Sequence, residues 1–213
     1  MGFFETVWEY ALATTWLEWV AVLTGVIYVI LASYQSIWCW LFAFVSSSLY
    51  VYICIAFELY IESGLQLFYV AMAIVGWLSW SNANKKSSAV SKELLDSPES
   101  KTVVQVWSLR IHAINIIVSG LVAFALGWTF DQFTNQSNPY MDAFTTVYSL
   151  LATFMVTRRV LENWVYWVVI DLVSIFLYSS RELYLSSVLY MFFTVLAVFG
   201  FITWYRAYKS VQT

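Results

Sequence analysis

The chain is poor in the residues that punctuate, cross-link or catalyse. It has one histidine, two cysteines and two prolines, and no lysine or arginine precedes Lys85. A single imidazole, His112, excludes the H-E-x-x-H zinc motif and leaves a serine hydrolase little choice of base. No G-x-x-x-x-G-K-[ST] occurs, so a P-loop nucleotide hydrolase is excluded as well. The last apolar run has no interior lysine, Lys209 lying at its end, which rules out a retinal Schiff base. Enzymatic activity is therefore not expected, and no cofactor or metal is called for. Cys39 and Cys54 fall about four turns apart on one helix, too far to bond each other, and read as packing residues. Without an early basic cluster the N-terminus does not read as a signal peptide. Residues 3–14 instead put Phe4, Trp8, Ala11 and Leu12 on one helical face. That suits a short interfacial helix, or a lead-in to the first span.

What abounds is apolar and aromatic. Hydrophobic residues make up 62% of the chain and aromatics 20%, against 11% charged, which does not describe a soluble domain. A helix needs about 20 mostly apolar residues to span a bilayer. Such runs lie near 16–34, 36–55, 61–81, 106–129, 140–158, 163–180 and 184–206. A β-barrel would need short alternating segments, and these runs do not alternate. The expected fold class is an all-α integral membrane protein with seven transmembrane helices.

The polar stretch 82–106 reads as a solvated linker between spans 3 and 4. With alternating crossings, that linker, the turn between spans 5 and 6 and the C-terminus share one face. It holds nine of the ten basic residues: Lys85, Lys86, Lys92, Lys101, Arg110, Arg158, Arg159, Arg206 and Lys209. The opposite face has Arg181 and most of the acids. The positive-inside rule then puts the N-terminus outside and the C-terminus in the cytoplasm. A net charge of −3 gives no reason to expect a nucleic-acid partner.

One stretch recurs, in the same direction, 124 residues on. Trp40, Ser47, Glu58-Leu59-Tyr60, Gly76 and Trp80 return as Trp164, Asp171, Glu182-Leu183-Tyr184, Gly200 and Trp204. Three helices end on the side opposite their start, so one extra crossing between the copies restores orientation. The expected organisation is an interfacial segment 1–15, a first repeat 16–81, a linker 82–105, a connecting helix 106–130, a second repeat 140–206 and a tail 207–213. Two parallel three-helix repeats joined by one helix (3+1+3) form a transporter plan with the site between the halves.

Within span 6, Trp164, Trp167, Asp171, Ser174 and Tyr178 fall on one helical face. Asp171 lies mid-span, and an intramembrane acid faces a cavity or a partner because lipid penalises it. A bond to a neighbouring helix would be its structural role. Trp167 offers a stacking surface for a flat ligand, whereas Trp164 lies near enough to the helix end to suit an interfacial belt. Span 2 carries the matching stripe Trp40, Ala43, Ser47, Tyr50 and Cys54. Gln66 in span 3 matches Tyr190 in span 7, and its amide suits a carboxamide or sugar as well as a neighbouring helix. His112 and Asn115 on span 4 read as a packing or interfacial pair.

N-W-x-x-W-x-x-x-D at 163–171, E-L-Y at 58–60 and 182–184, and L-Q-L-F-Y…G-W-x-x-W at 65–80 resemble the PnuC family of nicotinamide riboside transporters. W-C-W-L-F at 38–42 departs from the pattern, since many relatives carry a proline near the second tryptophan. The resemblance implies a bacterial inner-membrane facilitator, a homotrimer, and a substrate trapped inside the cell by phosphorylation. With the span 6 face, the repeat and the chemistry of such a substrate taken together, the expected substrate site is formed by Trp164, Trp167, Asp171, Asn163, Gln66, Trp40, Ser47 and Tyr190. Relatives that carry thiamine, riboflavin or deoxynucleosides keep other substrates open. A proton-coupled symporter and a non-transporting vitamin receptor are the alternative modes.

Overall fold

The structure, a computed structural model, describes residues 3–56, 60–93, 104–134 and 138–212. Eight α-helices run through these residues: α1 (Phe3–Ala13), α2 (Trp16–Ser33), α3 (Cys39–Ala56), α4 (Tyr60–Glu93), α5 (Leu109–Phe133), α6 (Pro139–Thr157), α7 (Asn163–Ser180) and α8 (Tyr184–Gln212). Spans 1 to 7 of the sequence correspond to α2 to α8. Six of these helices, all but α6, are long and apolar enough to cross a membrane. The chain is a multi-pass membrane protein. Side chains on α5 such as Ile114, Ile117, Leu121 and Phe124 stand more than half exposed, as a lipid-facing surface requires.

Seven uniformly apolar spans were expected, and α6 departs from that. It has the expected bounds to within a residue, but it carries Asp142, Thr145, Thr146, Ser149, Thr153 and Thr157. Ten of its 19 residues are buried, so protein rather than lipid surrounds much of it. The linker expected from 82 is also shortened. Helix α4 runs on to Glu93, because the lysines, alanines and serines after Trp80 hold no glycine or proline to stop it. Likewise α8 continues to Gln212, past the expected end at 206. Residues 94–103 of the expected linker lie outside the described residues, as do Glu58 and Leu59 of the first E-L-Y.

Local chemistry fixes the helix ends. Thr15 caps α2 in a reciprocal box: its hydroxyl accepts from Glu18 N at 3.3 Å, and Glu18 Oε2 accepts from Thr15 N at 2.7 Å. Pro139 opens α6, where its missing N–H costs nothing. The turns after α2 and α6 repeat each other at the 124-residue offset. Ser33 donates to Ile30 O and Thr157 to Phe154 O, each at 2.7 Å. Gln35 and Arg159 then both take left-handed backbone, at φ 56° and 53°.

Helices α2, α3 and α4 pack in succession, as do α6, α7 and α8, while α5 lies along α6. Between these groups α2 meets α8 and α4 meets α6, which are equivalent pairings under the offset. At the crossing sits a chain of four indoles. Trp40 meets Trp80 edge-on at 5.4 Å, Trp80 lies 6.2 Å from Trp204, and Trp204 meets Trp164 edge-on at 5.5 Å. The inner two donate across the groups, Trp80 Nε1 to Val156 O at 3.3 Å and Trp204 Nε1 to Ala32 O at 3.0 Å. Val156 and Ala32 are themselves 124 residues apart. Arg159, only 4% exposed, places its guanidinium 4.3 Å over the Trp80 ring and donates to Asn84 Oδ1 at 3.1 Å. Burial pulls its pKa down to about 10, so it remains a cation at neutral pH.

Two glycines admit these rings. A Cβ at Gly76 would lie 2.4 Å from the Trp40 ring, and one at Gly200 would lie 2.7 Å from Trp164. A Cβ at Gly64 meets nothing within 4 Å. Gly200→Ala should therefore destabilise by about 1–3 kcal/mol through overpacking, whereas Gly64→Ala should leave the thermal midpoint unchanged or raised. Melting of the purified protein in detergent checks the contrast, and equal midpoints would show that the Trp164 contact is soft.

Candidate functional site

A cavity of about 520 Å³ opens between the two groups of helices, bordered by α2, α3, α4, α6, α7 and α8. Helix α7 turns Trp164, Trp167, Asp171, Ser174 and Tyr178 toward it, and α3 contributes Trp40, Ala43, Ser47 and Tyr50. Gln66 and Tyr69 come from α4, Tyr190 and Phe193 from α8. Of the eight residues expected at the site, seven border the cavity and Asn163 does not. Asn163 is fully buried at the start of α7, where its Nδ2 donates to Val160 O at 2.6 Å. That bond helps close the turn between α6 and α7, while Oδ1 is enclosed without a hydrogen-bond partner among the described residues.

The two stripe tryptophans differ in what they offer. Trp164 is 3% exposed, held between Gly200 and the edge of Trp204, so it is no interfacial belt residue. Trp167 is half-buried, and its ring enters no aromatic pair among the described residues. It borders the cavity while packing against the core clusters on either side. Tyr190 stacks on Tyr178 at 5.2 Å and 13°, making a second aromatic wall.

Charge is unevenly distributed round the cavity. Among the described residues two carboxylates border it, Asp142 and Asp171, and no Lys, Arg or His does. Asp142 is held by Arg181 through a two-pronged pair, Nη1–Oδ1 at 3.1 Å and Nη2–Oδ2 at 2.5 Å. This pair joins the start of α6 to the turn after α7. Asp171 is 3% exposed and has no hydrogen bond or ion pair among the described residues. An enclosed carboxylate without a partner is costly unless something else meets it. The cavity therefore presents one carboxyl group without a partner among the described residues, a helical turn from Trp167.

The expected residues leave out one wall. Thr145, Thr146, Ser149 and Thr153 on α6 border the cavity, opposite Ala21, Val22, Gly25 and Val29 on α2. Each hydroxyl position is matched to its apolar counterpart by the 124-residue offset. Sequence reasoning overlooked them because hydroxyls are ordinary in buried helices, where they bond their own backbone. Thr145 donates to Met141 O at 3.1 Å, and Thr153 to Ser149 O at 2.8 Å. The i, i+4, i+8 spacing of residues 145, 149 and 153 was the available signal. His112 lies outside the cavity, its Nδ1 3.1 Å from the Tyr166 hydroxyl and its Nε2 3.7 Å from Glu162. Asn115 does not border the cavity either.

Comparison with known proteins places this arrangement. The family model described as nicotinamide mononucleotide transporter matches residues 15–206. The chain belongs to the PnuC transporter family. Among PnuC relatives, the nicotinamide riboside transporter PnuC of Escherichia coli is 27% identical over 209 residues, covering 92% of this chain and 87% of the relative. That of Neisseria mucosa is 28% identical over 205 residues, covering 92% and 74%. The riboflavin/roseoflavin transporter RibM of Streptomyces davaonensis is 26% identical over 193 residues, covering 89% and 84%. A crystal structure of the vitamin B3 transporter PnuC shares the fold, with a TM-score of 0.72 at 22% identity over 98% of this chain and 90% of that one.

The Asp142–Arg181 pair can be tested without a ligand. A cycle of Asp142→Asn, Arg181→Leu and the double variant should return a coupling of about 1–3 kcal/mol in unfolding free energy. Additive effects would mean that the two ends are held by packing alone.

Proposed function

We propose that the chain carries nicotinamide riboside across a bacterial inner membrane by facilitated diffusion. The observation that carries this reading is Asp171, an enclosed carboxylate without a partner among the described residues, one turn from Trp167 on the cavity wall. Nicotinamide riboside is a flat pyridinium cation with a carboxamide and a ribose. A cation over an indole gains about 2 kcal/mol when desolvated, and Asp171 balances its charge. Gln66, Ser47, Tyr190 and the α6 hydroxyls supply donors and acceptors for the carboxamide and sugar. The volume falls in the usual range for small-molecule sites, about 300–1,000 Å³. Relatives named as nicotinamide riboside transporters support the same substrate.

The lining argues for the riboside over the mononucleotide named in the family description. A phosphate adds roughly two negative charges, and among the described residues no cation borders the cavity to meet them, the nearby Arg181 being paired with Asp142. The riboflavin relative favours a second reading, in which another flat vitamin occupies the same cavity.

In the full proposal, α2–α4 and α6–α8 act as two parallel three-helix repeats with α5 as the connecting helix. The pairings that recur at the offset support this arrangement. The N-terminus lies outside and the C-terminus in the cytoplasm, the protein assembles as a homotrimer, and phosphorylation inside the cell traps the product. No coupling ion takes part.

Calorimetry on purified protein tests the substrate. Nicotinamide riboside should bind, with the mononucleotide, thiamine and riboflavin at least about tenfold weaker; tight riboflavin binding would favour the second reading. Trp167→Ala should cost about ten- to thirtyfold in affinity, with Trp167→Phe losing less. Asp171→Asn should weaken the cation more than its uncharged reduced form. Wild-type affinity in both Trp167→Ala and Asp171→Asn would sink the assignment. In liposomes a facilitator equilibrates substrate without a pH gradient, a symporter accumulates it with one, and a receptor moves nothing.

Orientation has its own test. A single cysteine replacing Ser91, in a background lacking Cys39 and Cys54, should resist impermeant thiol reagents in intact cells. Ready labelling would reverse the topology.

A further inference from the structure

The two seams between the groups of helices, α4 against α6 and α2 against α8, are equivalent under the 124-residue offset but are not fastened alike. Each has one indole bond, Trp80 to Val156 O and Trp204 to Ala32 O. Beside the first, Ser79 donates to Thr157 O and Arg159 to Asn84 Oδ1, each at 3.1 Å, with the guanidinium over the Trp80 ring. At the second seam the offset replaces Ser79 by Thr203, which donates to Phe199 O of its own helix at 3.0 Å. It replaces Arg159 and Asn84 by Gln35 and Tyr208, and Gln35 makes no side-chain hydrogen bond among the described residues. Deeper in the first seam Tyr69 meets Ser149, whereas their equivalents Phe193 and Gly25 carry no polar side chain.

A short strap of backbone fixes the first seam further. On the way into α5, Gln105 N donates to Arg159 O at 2.9 Å, and Leu161 N donates to Gln105 O at 2.8 Å. Val104 beside it is buried in the core with Val156, Leu161 and Trp204. The turn after α2 has the same left-handed residue, but no such strap lies on it among the described residues. What the second seam adds to its indole bond is the exposed ring of Tyr34, edge-on to Phe199 at 5.7 Å. Lipid tails replace an apolar contact at little cost, whereas they cannot replace a hydrogen bond.

We infer that the passage opens at this end by parting α2 from α8, while α4 and α6 stay joined and act as the hinge. This rests on the reading of the cavity as a transport pathway between two groups of helices that move against each other. Seams tied equally would oblige every bond at this end to break before a solute could leave. Unequal fastening reduces the obstacle to one indole bond and one ring contact, and the polar set round Arg159 turns with the α4–α6 unit as a single body. When the α2–α8 seam parts, water entering there meets both the Trp204 N–H and the Ala32 carbonyl, so neither is left stranded. Arg159 and Asn84 are positioning residues in this scheme, for they hold a seam closed and lie off the cavity wall.

Cysteine pairs at equivalent exposed positions test this on the full chain, in a background lacking Cys39 and Cys54. Lys85→Cys with Arg158→Cys spans the α4–α6 seam, and Lys209→Cys with Tyr34→Cys spans the α2–α8 seam at the same offset. Each protein is placed in liposomes and its pair joined by a flexible bifunctional thiol reagent that a reductant cleaves. Uptake of nicotinamide riboside and, in parallel, of riboflavin is then measured. Linking 85 to 158 should leave uptake near that of the unlinked protein. Linking 34 to 209 should abolish it, and reduction should restore it. As a second readout, spin labels at the same positions in nanodiscs should give a second, longer distance for 34–209 and a single distance for 85–158. Loss of uptake in both linked proteins, or in neither, or a longer distance at 85–158, would overturn the hinge while leaving the transport reading intact. Uptake of riboflavin alone would overturn the substrate assignment, and the hinge would be read on riboflavin. An unlinked protein that moves neither solute would overturn the transport reading and the hinge with it.

Discussion

Two buried indole N–H groups donate to backbone carbonyls across the middle of the protein, Trp80 to Val156 and Trp204 to Ala32. Lipid tails are as apolar as leucine, so apolar burial gives helices in a bilayer little reason to associate. Close packing and interhelical hydrogen bonds must do it. These two bonds use carbonyls near the ends of α6 and α2, just before the turns at Arg159 and Gln35. Chain reversal, helix pairing and the inner boundary of the cavity thus depend on the same few atoms. Gly76 and Gly200 allow the rings to seat, and the cation of Arg159 covers one of the inner indoles.

On this balanced frame the lining is unlike on its two sides. Ala43 stands where Trp167 does, Ser47 where Asp171 does, and apolar α2 faces hydroxyl-bearing α6. A ligand with a charged ring at one end and a sugar at the other has no symmetry to match, so a symmetric lining would serve it poorly. The frame positions tolerate little change because rings and glycines interlock there. The copies have diverged at lining positions such as Ala43 against Trp167 and Ser47 against Asp171.

Much of this was legible in the chain. Apolar runs define most helices because backbone polarity must be satisfied internally in lipid, and the i, i+3, i+7 stripe on α7 does face a cavity. That Asn163 stands off the cavity could not be read from the chain, because an amide beside a tryptophan looks the same whether it borders a cavity or closes a turn. The end of α4 was misplaced since charged residues leave the membrane without ending a helix. The hydroxyl wall escaped notice because hydroxyls are ordinary in buried helices, where some, such as Thr145 and Thr153, bond the preceding turn. The unequal fastening of the two seams could not be seen in sequence at all, because it depends on which groups come within reach.

Helix α6 is the least apolar of the long helices and the one most enclosed by its neighbours. Its hydroxyls and Asp142 would gain little from lipid, so partitioning alone holds it weakly in the bilayer. Helix α5, strongly apolar and packed along α6, makes up the difference. The wall that gives the cavity its polarity is thereby the segment that inserts best in company, as the second arm of a hairpin with α5. During synthesis α5 emerges immediately before it, so chain order delivers the chaperoning helix before the helix that needs it.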